Sequence, residues 1–212
     1  MSTWAIVVAA GSGTRYGGPK QLVRVAGVTI LDRAVGTARE ACDGVVVVVA
    51  PDAPWDPPGD VTTVTGSDTR SGSVRAGLAA VPADADIIVI HDAARPLASR
   101  PLFAAVIGAV LAGADGAIPA LGVVDTVKRV VDGHVVETVP RDDLVVVQTP
   151  QAFRAAALRA AHQGGGSGTD DAALVEAAGG RVVVVEGEPR NLKVTVASDL
   201  ELLQALLDSG AT

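Results

Sequence analysis

Trp4-Ala5-Ile6-Val7-Val8-Ala9 runs without a break into Ala10-Gly11-Ser12-Gly13-Thr14-Arg15-Tyr16-Gly17-Gly18-Pro19-Lys20-Gln21, and this junction decides the architecture. The first six residues are apolar, include β-branched side chains and are cut off by glycine, the pattern of a buried strand feeding a loop. Gly11 and Gly13 are expected to take positive φ and to let backbone N–H groups approach an anion with no Cβ in the way. Arg15 and Lys20 bring two positive charges to the same loop. Neither common phosphate loop fits the spacing. A dinucleotide turn, G-x-G-x-x-G, needs a third glycine where Tyr16 stands, and Pro19 sits where its helix should run. A Walker A loop needs lysine followed by serine or threonine, whereas Gln21 follows Lys20. An ordinary glycine turn carrying two solvated cations accounts for the spacing as well.

Outward from this loop, composition narrows the classes. The 212 residues are 49% hydrophobic, with no apolar run long enough to span a bilayer, so a single domain over 1–212 with no membrane partner is expected. No basic stretch followed by a hydrophobic segment marks a secretory leader. The one cysteine, Cys42, has no internal partner, which fits a cytoplasmic setting. A net charge of −7 disfavours a broad polyanion surface, and aromatics at 2% leave little to stack on bases, so no nucleic-acid partner is expected. A small anionic ligand remains open if the cations gather locally.

Downstream, strand and helix signals alternate. A helix is expected from Ile30 to about Cys42, a doubly covered strand over the valines at 45–50, a shorter strand at 61–65 and a buried strand at 86–90. A helix from about 100 to 112 and a strand at 117–121 follow. This rhythm predicts an α/β fold with a doubly wound, mostly parallel sheet, whose ligands sit at the carboxyl ends of the strands. Residues 122–141 break it: Asp132-Gly133 is a hairpin signal, and the valine-rich strands on either side form a protruding β-hairpin arm, about 122–143. An isolated apolar hairpin needs cover, and a second copy of the chain supplies it, so a homodimer is expected. Leu144 to Gln148 reads as a strand, Thr149-Pro150-Gln151 as a turn, and Phe153 to about Gln163 as a helix. A strand at 182–186 and a helix from Ala197 to Leu207 close the chain.

Three polar stretches stand out. In Gly66-Ser67-Asp68-Thr69-Arg70-Ser71-Gly72-Ser73, Ser71 and Ser73 are helix N-cap candidates. The same N–H groups and hydroxyls can instead bond the edge of a base. His91-Asp92-Ala93-Ala94-Arg95-Pro96 closes a buried strand, the position for chemistry in such a sheet. There Asp92 is the functional candidate, although it could simply pair with Arg95, and His91 reads as a satisfied buried histidine. His134 reads as an exposed hairpin side chain. Thr169-Asp170-Asp171 opens a helix, with Thr169 as N-cap and the acids favourably placed at the positive end of the helix dipole. Lys193, by itself, reads as a solvated cation.

Taken together, A-A-G-x-G-x-R with P-K-Q, the loop around Ser67 and Asp68, H-D-A-A-R-P, the arm and N-x-K-V-T resemble the 2-C-methyl-D-erythritol 4-phosphate cytidylyltransferase family of nucleotidyltransferases, over nearly the whole chain. The resemblance implies that Arg15 and Lys20 are catalytic. It implies that Ala9, Ala10, Gly11, Ser12, Gly13, Ser67, Asp68, Ser73 and Asp92 hold the nucleotide. It implies further that Asp92, Arg95, Thr126, Arg141, Thr169 and Lys193 meet the acceptor, with Arg141 reaching across a dimer interface. CTP, a polyol phosphate and Mg²⁺ follow as partners. A phosphomonoester, with a second pKa of about 6, is already mostly dianionic at neutral pH, so no protein base is required to activate it. A sister enzyme acting on ribitol or a pentulose phosphate stays open. So, more distantly, does a nicotinamide-binding Rossmann protein, although Asp52 lies about forty residues past the glycines where such a fold wants an acid at about twenty. The sequence departs from the family pattern after Thr169, where Asp170-Asp171-Ala172-Ala173 replaces a stretch that in many relatives carries a glutamate and a serine. It departs again in the loop at 51–59, and neither departure is expected to touch the reacting groups.

Overall fold

In the computed structural model, which describes every residue except Ser12, Thr14, Arg15, Ser167, Ala211 and Thr212, β1 (Thr3–Ala9) lies inside a sheet. After it come a 3₁₀ turn (Lys20–Leu22), β2 (Arg24–Val25), β3 (Val28–Thr29), α1 (Ile30–Ala41), β4 (Gly44–Val49) and β5 (Val61–Thr65). The chain continues through α2 (Arg70–Ala80), β6 (Ile87–Asp92), α3 (Arg100–Leu111), β7 (Gly116–Gly122), β8 (Val127–Val131) and β9 (His134–Val139). It ends with β10 (Val145–Val147), β11 (Gln151–Arg154), α4 (Ala155–Gln163), α5 (Asp171–Ala177), β12 (Val182–Glu186) and α6 (Ser198–Asp208).

β1 is flanked by β4 and β6, both parallel to it, and β5 extends the sheet beyond β4. On the other side β11 runs antiparallel between β6 and β7, and β7 also pairs with β10 (antiparallel) and β12 (parallel). The expected mostly parallel sheet is therefore present. Side-chain alternation along β1 divides the core between two faces. Ala5, Val7 and Ala9 join Leu31, Val35, Phe103 and Val106 beneath α1 and α3. Ile6 joins Val46, Val74, Leu78, Phe153 and Leu158 beneath α2 and α4. Cover on both faces explains why these strands read as unbroken valine and isoleucine runs.

Three local expectations need correction. Phe153 belongs to β11 and not to a helix, because Gln151–Arg154 inserts between β6 and β7 and buries the ring completely. That burial outweighs the helical pattern of the alanines that follow. The N-cap of α5 is Asp170, whose Oδ1 accepts the Ala173 N–H at 3.0 Å, and not Thr169. The N-cap of α2 is Thr69, whose hydroxyl accepts the Gly72 N–H, and not a serine. The hairpin appears where Asp132-Gly133 placed it: β8 and β9 pair antiparallel, and Asp132 and Gly133 both take positive φ. Val130, Val131, Val135 and Val136 are exposed, Val135 to 62%. His134 is exposed as expected, its Nδ1 2.8 Å from the Asp132 carbonyl.

Phe153 packs over Gly116, where an added Cβ would come within 2.7 Å of the ring. Phe153→Ala should therefore cost about 3–5 kcal/mol of unfolding free energy in urea titration, the range for deleting a buried aromatic. A loss below about 1 kcal/mol would mean that β11 does not seal this face.

Candidate active site

Parallel register brings the carboxyl ends of β1, β4 and β6 level, with Ala9 beside Val49 and Val8 beside Asp92. The loops that leave these strands enclose a cavity of about 500 Å³. Ala9, Ala10, Gly11 and Gly13 form one wall with Lys20, and Ser67, Asp68, Arg70 and Ser73 form a second. Asp92 and Lys193 close the floor and the far side.

Gly13 is required in this wall for a backbone reason. Gly13 has φ +64°, and its carbonyl accepts the N–H groups of Tyr16 (2.8 Å) and Gly17 (2.9 Å). A Cβ there would lie 1.8 Å from the Gly18 carbonyl oxygen. Gly11 does not take positive φ, against expectation; it is exposed and faces open space, so what it contributes is a backbone with no side chain on the cleft wall. Buried Gln21 ties the two ends of the loop together, donating from Nε2 to the carbonyls of Ala9 (2.9 Å) and Gly11 (3.2 Å). Lys20 opens the 3₁₀ turn and lines the cavity. Arg15 and Ser12 lie outside the described residues.

On the second wall, the Ser73 hydroxyl donates to the Ser67 carbonyl (3.2 Å) and accepts the Ser67 N–H (3.1 Å). The loop is thereby folded over the start of α2, so closely that a Cβ on Gly72 would sit 2.0 Å from the Ser67 hydroxyl. Ser67 and Asp68 are left exposed along the cavity rim.

Asp92 is the electrostatic centre. Oδ1 accepts from Arg70 Nε and Nη2 (3.2 Å each), and Oδ2 accepts from Lys193 Nζ at 2.6 Å. Burial raises the pKa of this carboxyl, but the Arg70 and Lys193 charges outweigh it and hold the group well below the usual carboxylate range. Asp92 is thus an anion that gathers cations, and its partners are Arg70 and Lys193, not Arg95. Its backbone is fixed too: the Asp92 N–H donates to the Thr149 hydroxyl (3.0 Å), which donates to His91 Nδ1 (3.1 Å). His91 Nε2 donates to the Arg95 carbonyl at 3.1 Å. Since a carbonyl only accepts, this chain fixes the neutral Nε2–H tautomer and makes His91 the satisfied buried histidine expected. Across the cleft, Asp199 accepts the Val196 and Thr195 N–H groups, which lower its pKa, and the Lys20 charge adds to the effect.

Other candidates fall elsewhere. Arg95 is buried and spends its guanidinium on the carbonyls of Asn191 (2.7 Å) and Val147 (3.3 Å), so it braces the Lys193 loop from below. Thr126 and Arg141 are exposed at the base of the arm, where Arg141 donates to the Val124 carbonyl, and Thr169 is exposed ahead of α5. None of these four lines the cavity of this chain. Sequence reading missed Thr149, and it took Asp171 as a dipole acid remote from the reacting groups. Instead Asp171 is sealed and accepts from Arg70 Nη1 at 2.7 Å. Their signal was hidden because both partnerships are long-range in sequence.

With this geometry in place, comparison with known proteins is specific. The sequence model of the 2-C-methyl-D-erythritol 4-phosphate cytidylyltransferase family matches residues 3–209. The chain belongs to that family. It is 45% identical to the 2-C-methyl-D-erythritol 4-phosphate cytidylyltransferase of Rhodococcus jostii, over 98% of this chain and 96% of that one. It is 49% identical to the bifunctional enzyme IspD/IspF of Clavibacter michiganensis over 97% of its own length, spanning 55% of that longer protein. Among solved structures, that of the Thermus thermophilus cytidylyltransferase superposes with a TM-score of 0.85 at 35% identity, covering 98% of this chain and 100% of that one. The chain is accordingly an enzyme, a nucleotidyltransferase acting on CTP and 2-C-methyl-D-erythritol 4-phosphate, and the ribitol, pentulose and nicotinamide readings are not favoured. No helix among the described residues is long and apolar enough to cross a membrane.

Two measurements check the site. Gly13→Ala should abolish turnover with the rest of the fold retained by circular dichroism; near-native turnover would show that the loop tolerates the clash. Burial pushes the His91 imidazole down from its ordinary 6.5 to about 4. The unfolded chain therefore binds a proton that the folded chain refuses, and the stability contributed by His91 is complete above about pH 6.5 and lost as pH falls toward 4. Urea midpoints should fall between pH 7 and 4.5, and less steeply in His91→Gln; equal slopes would contradict the assignment.

Proposed function

We propose that the cavity holds CTP against the glycine wall, that Lys193 receives the phosphate of the acceptor, and that catalysis is a matter of positioning and charge. One observation carries this reading: Lys20, Arg70 and Lys193 line a single cavity at the carboxyl ends of the parallel strands, two of them paired to one buried carboxylate. Ser67 and Asp68 on the rim receive the edge of the cytosine, and buried Ser73 holds their loop in place. An oxygen of the acceptor phosphate attacks the α-phosphorus of CTP in line. A new phosphorus–oxygen bond forms, the bond to the β-phosphate bridging oxygen breaks, and pyrophosphate leaves with that electron pair. The acceptor arrives as an anion, so no side chain removes a proton. Lys20, together with Arg15, offsets the charge that develops on the α-phosphoryl oxygens.

Mg²⁺ is part of the proposal. Among the described residues no group of three or more His, Cys, Asp or Glu side chains is placed to hold a metal. Asp92, the carboxylate lining the cavity beside its cations, would hold such an ion together with phosphate oxygens. The ion would neutralise triphosphate charge.

A homodimer completes the site in this reading. The exposed valines of the arm, Val130, Val131, Val135 and Val136, need cover. An arm clasping a second copy would carry Thr126 and Arg141 away from their own cavity and toward the acceptor of the other. The single cysteine, raised to about 12 by burial and the adjacent Asp43 charge and hence inert, suits a cytoplasmic enzyme.

Pyrophosphate release should require both CTP and methylerythritol phosphate, with ATP, UTP and ribitol phosphate giving little. Lys20→Ala should lower kcat about a hundredfold or more, as expected for one preorganised charge. Turnover close to native in that variant would sink the assignment. Sedimentation should give twice the chain mass of 21.2 kDa, and the pair Val135→Glu and Val136→Glu should give monomers of low activity. Monomeric native protein with full turnover would remove the arm from the mechanism.

A further inference from the structure

Arg70 stands between two carboxylates from distant parts of the chain. Its Nε and Nη2 edge meets Asp92 Oδ1, on the cavity side. Its Nη1 points the other way, to Asp171 Oδ2 at 2.7 Å. The Asp171 side chain is 1% exposed, against 27% for Arg70. The other oxygen of Asp171 accepts from His162 Nε2 at 3.0 Å, and His162 is itself sealed at 3%. Burial works against the charge on Arg70, but the two carboxylates overcome it and raise the guanidinium above its ordinary range.

We propose that Asp171, oriented by His162, is a positioning residue for the reaction: it anchors Arg70 from behind, so that Arg70 keeps Asp92 aimed into the cavity when phosphates arrive. The inference rests on the cavity being the nucleotide site. Its logic is a competition. Asp92 holds two cations, and Lys193, the more exposed of them at 42%, is the one proposed to turn to the acceptor phosphate. A triphosphate carries more negative charge than one carboxylate, and an arginine tied only to Asp92 would follow it. With Nη1 committed to a carboxylate that no substrate reaches, the planar fork cannot swing without leaving a buried charge unpaired. Lysine at position 70 would offer one nitrogen where Arg70 uses separate nitrogens for the two acids.

The competition sets a kinetic signature. Asp171→Asn keeps the shape and one acceptor but removes the charge, which frees Arg70 to bind ground-state phosphate. It should lower kcat about tenfold or more with KM for CTP unchanged or reduced, since the interaction lost is one that matters in the transition state. Arg70→Lys should lower kcat similarly, and the double variant should be no worse than Arg70→Lys alone, because Asp171 acts through Arg70. His162→Leu should give the same split more weakly, and His162→Gln, which restores an N–H donor, should recover it. A residue with only a structural role would instead lower the melting temperature and leave kcat of the folded fraction unchanged. Overturning results are kcat within twofold of native in folded Asp171→Asn, a loss confined to KM, or multiplicative losses in the double variant. If Asp171→Asn fails to fold, the His162 pair decides by the same criteria. Native protein that turns over CTP while these variants match it sinks this proposal alone; native protein with no turnover sinks the nucleotide reading and this proposal together.

Discussion

One buried carboxylate organises this molecule's chemistry. Asp92 lies at the end of β6 with its side chain only 12% exposed, and it is ionised because Arg70 and Lys193 reach it from α2 and from the loop before α6. An unpaired carboxylate would be costly in this buried setting, and Arg70 and Lys193 both pair it before any substrate arrives. In a chain of net charge −7, Lys20, Arg70 and Lys193 are nonetheless gathered at one cavity, the arrangement that a doubly anionic pair of substrates requires.

The support beneath Asp92 is directional. Its backbone N–H, the Thr149 hydroxyl, the His91 ring and the Arg95 carbonyl form a single chain of hydrogen bonds in which every partner is satisfied. Asn191 adds a second brace, donating to the Thr149 carbonyl at 2.9 Å while its own carbonyl accepts from Arg95. These groups hold the strand end and the Lys193 loop in fixed relation, with the buried Arg95 guanidinium as the charged member among them.

Much of this was legible in sequence, for identifiable reasons. The valine and isoleucine runs announced doubly covered strands because burial on both faces permits little else, and Asp132-Gly133 announced a hairpin because both residues favour positive φ. Ala9 to Gly13, Ser67, Asp68, Ser73, Asp92 and Lys193 were grouped by family likeness, and the described ones share one cavity. What failed to show was contact between distant positions. Arg70 and Asp171 are 101 residues apart, so an acid that reads locally as a helix-end charge is an anchor for the cleft. Phe153 failed similarly, since an antiparallel insertion between two strands leaves no periodic trace over four residues.

The claim beneath the rest is that Lys20 and Lys193 meet the phosphates of the two substrates in one cavity, beside an Asp92 held by Arg70. A crystal structure of the chain with CTP and Mg²⁺ tests it most directly. The triphosphate should lie along Gly11 to Gly13 beside Lys20, with cytosine against Ser67 to Ser73 and Arg70 still on Asp92. A nucleotide bound elsewhere, or a cavity in which Arg70 and Lys193 have turned out to solvent, would contradict it.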